Sequence, residues 1–258
     1  NCTFAKRKTI FQFMKILVCV SAVPDTTTKI TFNDNDTTFA KTGVQFIINP
    51  YDELALTRAI EIAEQNSGSV DVITVGEPDC DPIIRKALAM GANEAFRVNA
   101  EPVNSIFVAQ QIANHAKNSN YDLILTGRES IDYNGGMVQG LIAGILDLPI
   151  INVVTELEYK EDLIEANRDI DGGVETVSSS LPCVVSAQKD LCEPRIPNMR
   201  GIMMARSKPL TVIEPNGDFN YTQVEKYELP EAKTGVKLID AENAESLIDI
   251  LHKEEKLF

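Results

Sequence analysis

The stretch Gly127-Arg128-Glu129-Ser130-Ile131-Asp132-Tyr133-Asn134-Gly135-Gly136 concentrates residue types that can hold an anion or a sugar. Adjacent glycines let backbone N–H groups approach a ligand, and a helix starting just after them offers the positive end of its dipole. Arg128 adds a charge, and Asp132 can hold a ribose hydroxyl or structure the loop. The other reading is a turn whose glycines serve only tight packing. No G-x-G-x-x-G follows the first apolar run, and no G-x-x-x-x-G-K-[ST] occurs, so neither common phosphate fingerprint decides between the two.

A second group is Met199, Met203 and Met204, flanked by Arg195, Arg200 and Arg206 after a Pro-broken loop. Methionines suit adaptable binding surfaces, and arginines attract an acidic partner. Ordinary packing beneath a loop is the alternative. Other chemistry is poorly supplied. His115 and His252 are the only histidines, both in polar, helical-looking stretches, so no His-based triad or zinc site is expected, and no hydrolysis.

Cys2, Cys19, Cys80, Cys183 and Cys192 are odd in number and lack C-x-x-C spacing, which suits free thiols in a reducing, cytoplasmic setting. With 24 Lys+Arg against 38 Asp+Glu, the chain carries −14, which argues against nucleic acid as the main partner. The best apolar run, 137–151, is broken by Gln139, Asp147 and Pro149, so no membrane insertion is expected. Residues 1–13 are too short and too polar for a secretory signal and read as an N-terminal extension.

The elements that must position these groups follow from periodicity. At 258 residues and 44% hydrophobic, the chain can bury one large or two modest cores. Apolar runs at 16–20, 70–75, 95–98 and 122–126 read as buried strands, and 25–40, with Ile30 and Phe32 alternating, as an excursion or hairpin. Asn49-Pro50-Tyr51-Asp52 opens a helix to about 65, with Asp52 as its expected cap and Leu56, Ala59, Ile60 and Ala63 on one face. A helix at 82–90, expected to be capped by Asp81, turns Ile84, Ala87 and Leu88 inward and stops at Gly91. Further helices are expected at 105–117 and 137–146. Gly136, Gly140 and Gly144 share one face of the latter, expected to pack on the sheet.

Single helices between strands predict an α/β fold with a doubly wound, mostly parallel sheet. Such sheets bind ligands beyond the carboxyl ends of strands, where strand order reverses. After Pro149 the pattern becomes antiparallel at 157–159, 163–168 and 174–177, with Asp171-Gly172-Gly173 as a turn, followed by a strand at 182–187. Residues 191–206 read as a loop with a short helix, and 216–237 as an arm with little core. A terminal helix at 241–253, striped by Leu247, Ile248 and Leu251, is expected to lie on another chain.

Six stretches carry a resemblance. They are Val23-Pro24-Asp25-Thr26; Ile48-Asn49-Pro50-Tyr51-Asp52-Glu53; Arg85-Lys86-Ala87-Leu88-Ala89-Met90-Gly91-Ala92; Gly127-Arg128-Glu129-Ser130-Ile131-Asp132; Asp169-Ile170-Asp171-Gly172-Gly173-Val174-Glu175-Thr176; and Glu193-Pro194-Arg195 leading to Pro209. In this order, over nearly the whole chain, they resemble the beta subunit of an electron transfer flavoprotein.

The resemblance implies an adenine-nucleotide-binding, Rossmann-like domain at 14–206 and a C-terminal arm and helix at 207–258 packing on an alpha subunit. It also implies an electron carrier, not an enzyme. The alpha–beta heterodimer would take electrons from flavin dehydrogenases, such as the acyl-CoA dehydrogenases of fatty acid β-oxidation, and pass them to a quinone-linked oxidoreductase. The alpha subunit would hold most of the FAD, and this chain a structural AMP.

By position, the AMP pocket would involve Cys19, Asn49, Pro50, Tyr51, Asp52, Gly76 and Glu77, then Arg128, Glu129, Ser130, Ile131, Asp132, Tyr133, Asn134, Gly135, Gly136, Met137, Val138 and Gln139. Tyr51 would approach the flavin edge, and Asp169 would pair with an alpha-subunit arginine. A recognition loop for the dehydrogenase would span Arg195, Ile196, Met199, Arg200, Met203, Met204 and Arg206, with Met199 as anchor by position and Ile196 or Met203 as substitutes.

The stretch Tyr133-Asn134-Gly135-Gly136 departs from the Asn-Gln-Thr-Gly that AMP-holding relatives carry. Flavin-bifurcating, NADH-dependent relatives place a second FAD at this site, and they remain an alternative. An adenine-nucleotide sensor of the stress-protein kind shares the sheet topology, but has no need of the residues beyond about 150.

Overall fold

A computed structural model describes residues 13–160, 162–217, 222–232 and 235–257, so all but Phe13 of the expected N-terminal extension lies outside the described residues. The chain runs β1 (Lys15–Cys19), β2 (Ala22–Pro24), β3 (Phe32–Asn33), β4 (Thr38–Phe39), β5 (Phe46–Ile48), α1 (Pro50–Gln65), β6 (Ser69–Val75), α2 (Asp81–Met90) and β7 (Glu94–Val98). It continues through α3 (Ser105–Lys117), β8 (Leu123–Gly127), α4 (Val138–Leu146), β9 (Ile150–Lys160), β10 (Leu163–Ile170), β11 (Gly173–Ser180) and β12 (Cys183–Ala187). The last elements are α5 (Met199–Ala205), β13 (Leu210–Ile213) and α6 (Glu245–Asp249).

Nine strands form one sheet in the order β11-β10-β9-β12-β8-β1-β6-β7-β13. Pairs from β9–β12 through β7–β13 are parallel, whereas β9–β10 and β10–β11 are antiparallel. The central strands are apolar on both sides because helices cover both faces. Ile16, Val18, Val72, Leu123 and Leu125 face α1 and α2 with Leu56, Ile60, Ile84 and Leu88. On the other face Leu17, Cys19, Ile73 and Ile124 meet Phe107 and Ile112 of α3 and Ile142 of α4.

This arrangement places the ligand crevice. From β1 the chain steps outward through β6 and β7 by way of α1 and α2, and then returns through α3 to β8, on the other side of β1. Strand order therefore reverses between β1 and β8, and the splayed carboxyl ends of those two strands form the opening.

Several local expectations need correction. Asp52 does not cap α1: the N-cap position is Asn49, and Asp52 is buried inside the first turn, drawn to donors on neighbouring strands. Asp81 is the first residue of α2 rather than its cap, and its carboxylate reaches Arg97 Nε of β7 at 2.8 Å. Gly140 and Gly144 do not pack on the sheet. A Cβ at either would meet nothing within 4 Å, because Ile142 and Ala143 occupy the inner face of α4.

Strand β9 is longer than its apolar core predicted, since it pairs in parallel with β12 before turning antiparallel to β10. Strand β13, absent from the sequence reading, adds a parallel edge beside β7. The terminal helix is shorter than expected. A 3-10 turn (Ala241–Asn243) precedes α6, and a π turn (Ile250–Glu254) follows it. Leu247 and Ile248 are exposed.

The hairpin expectation holds: β3 and β4 pair, and Tyr227 of the arm stacks on Phe32 with ring centroids 4.8 Å apart.

Candidate functional site

The crevice is built around Asp52. Its Oδ2 accepts from Ser21 N–H at 2.8 Å and Ser21 Oγ at 2.6 Å, just past β1, while its Oδ1 accepts from Gly127 N–H at 2.8 Å, at the end of β8. One carboxylate thus ties the start of α1 to both strands that border the opening. Burial raises its pKa to about 6, against the lowering effect of the hydrogen bonds from Ser21 and Gly127. Gly127 is required by this closeness: a Cβ there would overlap Asp52 Oδ1 and lie 2.7 Å from Tyr51 Cβ.

Asn49 makes the second tie. Its Nδ2 donates to the Glu129 carbonyl at 2.8 Å, and its Oδ1 accepts from Ile131 N–H at 3.3 Å. Arg128 N–H donates to the Ala187 carbonyl of β12 at 2.9 Å, and its guanidinium lies 5.7 Å from the Tyr51 ring centre. Gln139 folds back from α4 and donates to the carbonyls of Arg128 at 2.8 Å and Gly136 at 2.9 Å. Asn49, Tyr51 and Asp52 are thereby brought together with Gly127, Arg128, Glu129 and Ile131, and Gln139 with Arg128 and Gly136.

Within the loop, Ser130 and Gly135 bridge to each other across a turn of half-buried Ile131 and exposed Asp132, Tyr133 and Asn134. This modifies the glycine reading. The N–H of Gly135 is engaged with the Ser130 carbonyl at 3.3 Å rather than aimed at an anion, and a Cβ on Gly135 would strike the Tyr133 ring. The Ser130 hydroxyl donates to Asp132, so that carboxylate structures the turn. Beyond Gly136, Met137 and Val138 open α4, whose N-terminus has no side-chain cap.

Cys19, at the end of β1, is buried, and its thiol is held well above the usual range by burial and then by the charge of Asp52. It is a wall of the crevice, not a nucleophile. Gly76 N–H donates to the Val98 carbonyl at 3.0 Å, and its own carbonyl accepts from buried Arg97 at 3.0 Å, with exposed Glu77 following.

Two contributors escaped the sequence reading. Ser21 is the double donor to Asp52. Thr126, one residue before Gly127, is 4% exposed, and its hydroxyl has no hydrogen-bond partner among the described residues. A single polar residue in the run Leu-Ile-Leu-Thr was the available signal.

The methionine–arginine group lies apart, on α5 and the segment before it. Ile196 is 87% exposed, Met199 74% and Met203 68%, and Met204 is also exposed. Helix α5 is seated on α2 by Gly201, where a Cβ would strike the Ala89 carbonyl, and by Arg85, which donates to the carbonyls of Ala205 and Lys208 at 2.8 Å. Arg195 is not free: it pairs with Glu64 at 2.8 Å. Arg200 and Arg206 form no ion pair among the described residues. Asp169 is exposed near the end of β10, opposite Val174.

His115 is part-buried in contact with Phe96 and with Tyr121, whose hydroxyl donates to Asp71. Among the described residues no group of three or more His, Cys, Asp or Glu can hold a metal, and no helix is long and apolar enough to cross a membrane.

Comparison with known proteins places the chain in a family. The family model described as "Electron transfer flavoprotein domain" matches residues 36–217. The electron transfer flavoprotein subunit beta of Bacillus subtilis is 34% identical over 95% of this chain and 100% of its own length. The human protein of that name is 32% identical over 89% and 94%. A subunit of the caffeyl-CoA reductase-Etf complex of Acetobacterium woodii is 33% identical over 77% and 78%. The sheet, the crevice and these matches lead to one assignment: the chain belongs to the electron transfer flavoprotein beta subunit family.

Proposed function

We propose that this chain supports electron transfer in a heterodimer with an alpha subunit, holding AMP as a structural ligand at the crevice between β1 and β8 and leaving the redox flavin to its partner. FAD, bound mainly by the alpha subunit, supplies the electron chemistry. The supporting observation is the buried, partnerless hydroxyl of Thr126 at a strand-order reversal whose walls are fixed by Asp52 and Asn49. A buried polar group without a partner signals a missing ligand or water. Backbone-lined walls, with Arg128 and the uncapped start of α4 near the rim, suit a mononucleotide.

The exposed apolar residues Ile196, Met199 and Met203, with Arg200 and Arg206 nearby, suit transient docking of an acidic dehydrogenase surface. Cations there speed encounter, and the apolar anchor sets register. The chain's −14 makes the local positive charge stand out. Asp169, exposed on β10, is available to an arginine of the alpha subunit, and so is the apolar side of the C-terminal arm to that subunit's surface.

Titrating nucleotide-free chain with AMP and with FAD tests the ligand. Saturation by one AMP is expected; a preference for FAD would transfer the chain to the bifurcating, NADH-dependent reading.

A further inference from the structure

We propose that Tyr227 is a latch that holds the C-terminal arm on the β3–β4 hairpin, in the path from which the arm docks on the alpha subunit. The inference rests on the reading of the arm as an alpha-subunit contact. After β13 the chain is clamped first at Asn216. The side-chain amide of Gln111, 3% exposed on α3, donates to the Asn216 carbonyl at 2.9 Å and accepts from its N–H at 2.8 Å. Among the described residues of 222–238, Tyr227 alone is not exposed. Its ring stacks on Phe32 with centroids 4.8 Å apart and planes 8° from parallel, and its N–H donates to the Asp36 carbonyl at 2.7 Å.

The hairpin that receives this ring has little hold of its own. Strands β3 and β4 pair over two residues each, too few to persist as a free hairpin. Their turn runs left-handed through Asp34, Asn35 and Asp36, at φ 54°, 59° and 65°. The hydroxyls of Thr37 and Thr38 fasten it to the Asp34 carbonyl at 2.7 Å and carboxylate at 2.9 Å. Phe32 and Tyr227 both lie outside the two cores that flank the sheet. The stacked pair therefore joins two weakly held segments and can part without loosening either core. Beyond it Leu229, Val236 and Leu238 are exposed, the last two at 83% and 90%, and these are the apolar groups an alpha subunit would take up.

The latch sets how well those groups find a partner. It shortens the free chain between the last anchor and Leu238 from about 22 residues to about 11. The effective concentration of a flexibly tethered group falls as roughly the three-halves power of tether length. Latching therefore raises it about 3-fold at a partner already seated on the body of the chain.

In the test, limiting alpha subunit is offered equal amounts of wild-type and variant full chain, and the two beta chains in the isolated heterodimer are counted by mass. Wild type is expected to exceed Y227A about 3-fold, and F32A by the same factor. The double variant should be no worse than either, because both remove one contact. Y227F, which keeps the ring and the N–H, should match wild type. In the free chain, hydrogen exchange at 222–232 should be faster in Y227A, while its melting temperature stays that of wild type. Equal competition by Y227A, or unchanged exchange, overturns the proposal. So does a loss in Y227A that F32A does not share, since Tyr227 would then touch the alpha subunit itself. A markedly lower melting temperature for free Y227A also overturns it, because the ring would then serve the fold. A chain carrying L229S, V236S and L238S should lose to wild type. If it competes equally, the arm does not dock and the underlying reading falls with the proposal, whereas its loss beside an unaffected Y227A overturns the latch alone. If F32A does not fold, F32L against Y227A carries the same decision.

Discussion

Replacing Asp52 with Asn isolates the carboxylate that binds α1 to the two strands of the crevice. In the folded chain this group titrates at about 6, against 3.8 for an ordinary aspartate. The sign follows from linkage: a carboxyl whose folded pKa is raised binds its proton more tightly when folded, so stability falls as pH rises from about 4 to 6. A shift of two units corresponds to about 3 kcal/mol in total, and about half of that falls above pH 5.

Asn cannot ionise. It also accepts at only one atom, so one of the donors on Ser21 or Gly127 loses its acceptor, a cost of about 1–3 kcal/mol that does not depend on pH. The two contributions separate in a urea-unfolding series from pH 5 to 8. The stability of the variant relative to wild type should rise by about 1.5 kcal/mol across this range, because only wild type must bury a charge. The comparison stays above the pI of about 4.6, where net charge would vanish. A relative stability that is flat with pH, or that moves in favour of wild type, would refute the reasoning that Asp52 is a strained buried carboxylate.

Gly127→Ala should destabilise the chain by roughly 1–3 kcal/mol in urea, since its Cβ would meet Tyr51 and Asp52. Unchanged stability would mean that the α1–β8 approach relaxes freely. Met199→Ala should weaken dehydrogenase docking by roughly 1–3 kcal/mol, measured by steady-state electron transfer, while flavin content stays constant. Arg200→Glu should slow the same transfer most at low salt, with the deficit shrinking as ionic strength rises. If either variant instead blocked heterodimer assembly, α5 would be an alpha-subunit contact.

The sequence was most legible where burial enforces a pattern. Ile16, Leu17 and Val18 are apolar on both faces because helices cover both, and α3 spans Ser105–Lys117 as its pattern predicts. It misled where a side chain answers to tertiary partners. Asp52 and Asp81 sit where caps are common, yet Ser21, Gly127 and Arg97, remote in sequence, claim their carboxylates.

The glycine face of α4 failed for a related reason. Spacing identifies residues that share a face, but Ile142 and Ala143 decide which face is buried. Strand β13 was hidden because Leu210-Thr-Val-Ile is short and its inner side is only half covered at the sheet edge. The loop at 128–136 was recognisable as a unit, but adjacent glycines do not disclose the Ser130–Gly135 pairing that consumes the Gly135 N–H.

Co-expression with the alpha subunit, followed by denaturation and quantification of the released ligands by mass spectrometry, tests the central claim most directly. The account predicts one AMP and one FAD per heterodimer, and a separately purified beta chain that carries AMP but no flavin. Two FAD and no AMP per heterodimer, or flavin retained by the beta chain alone, would contradict it.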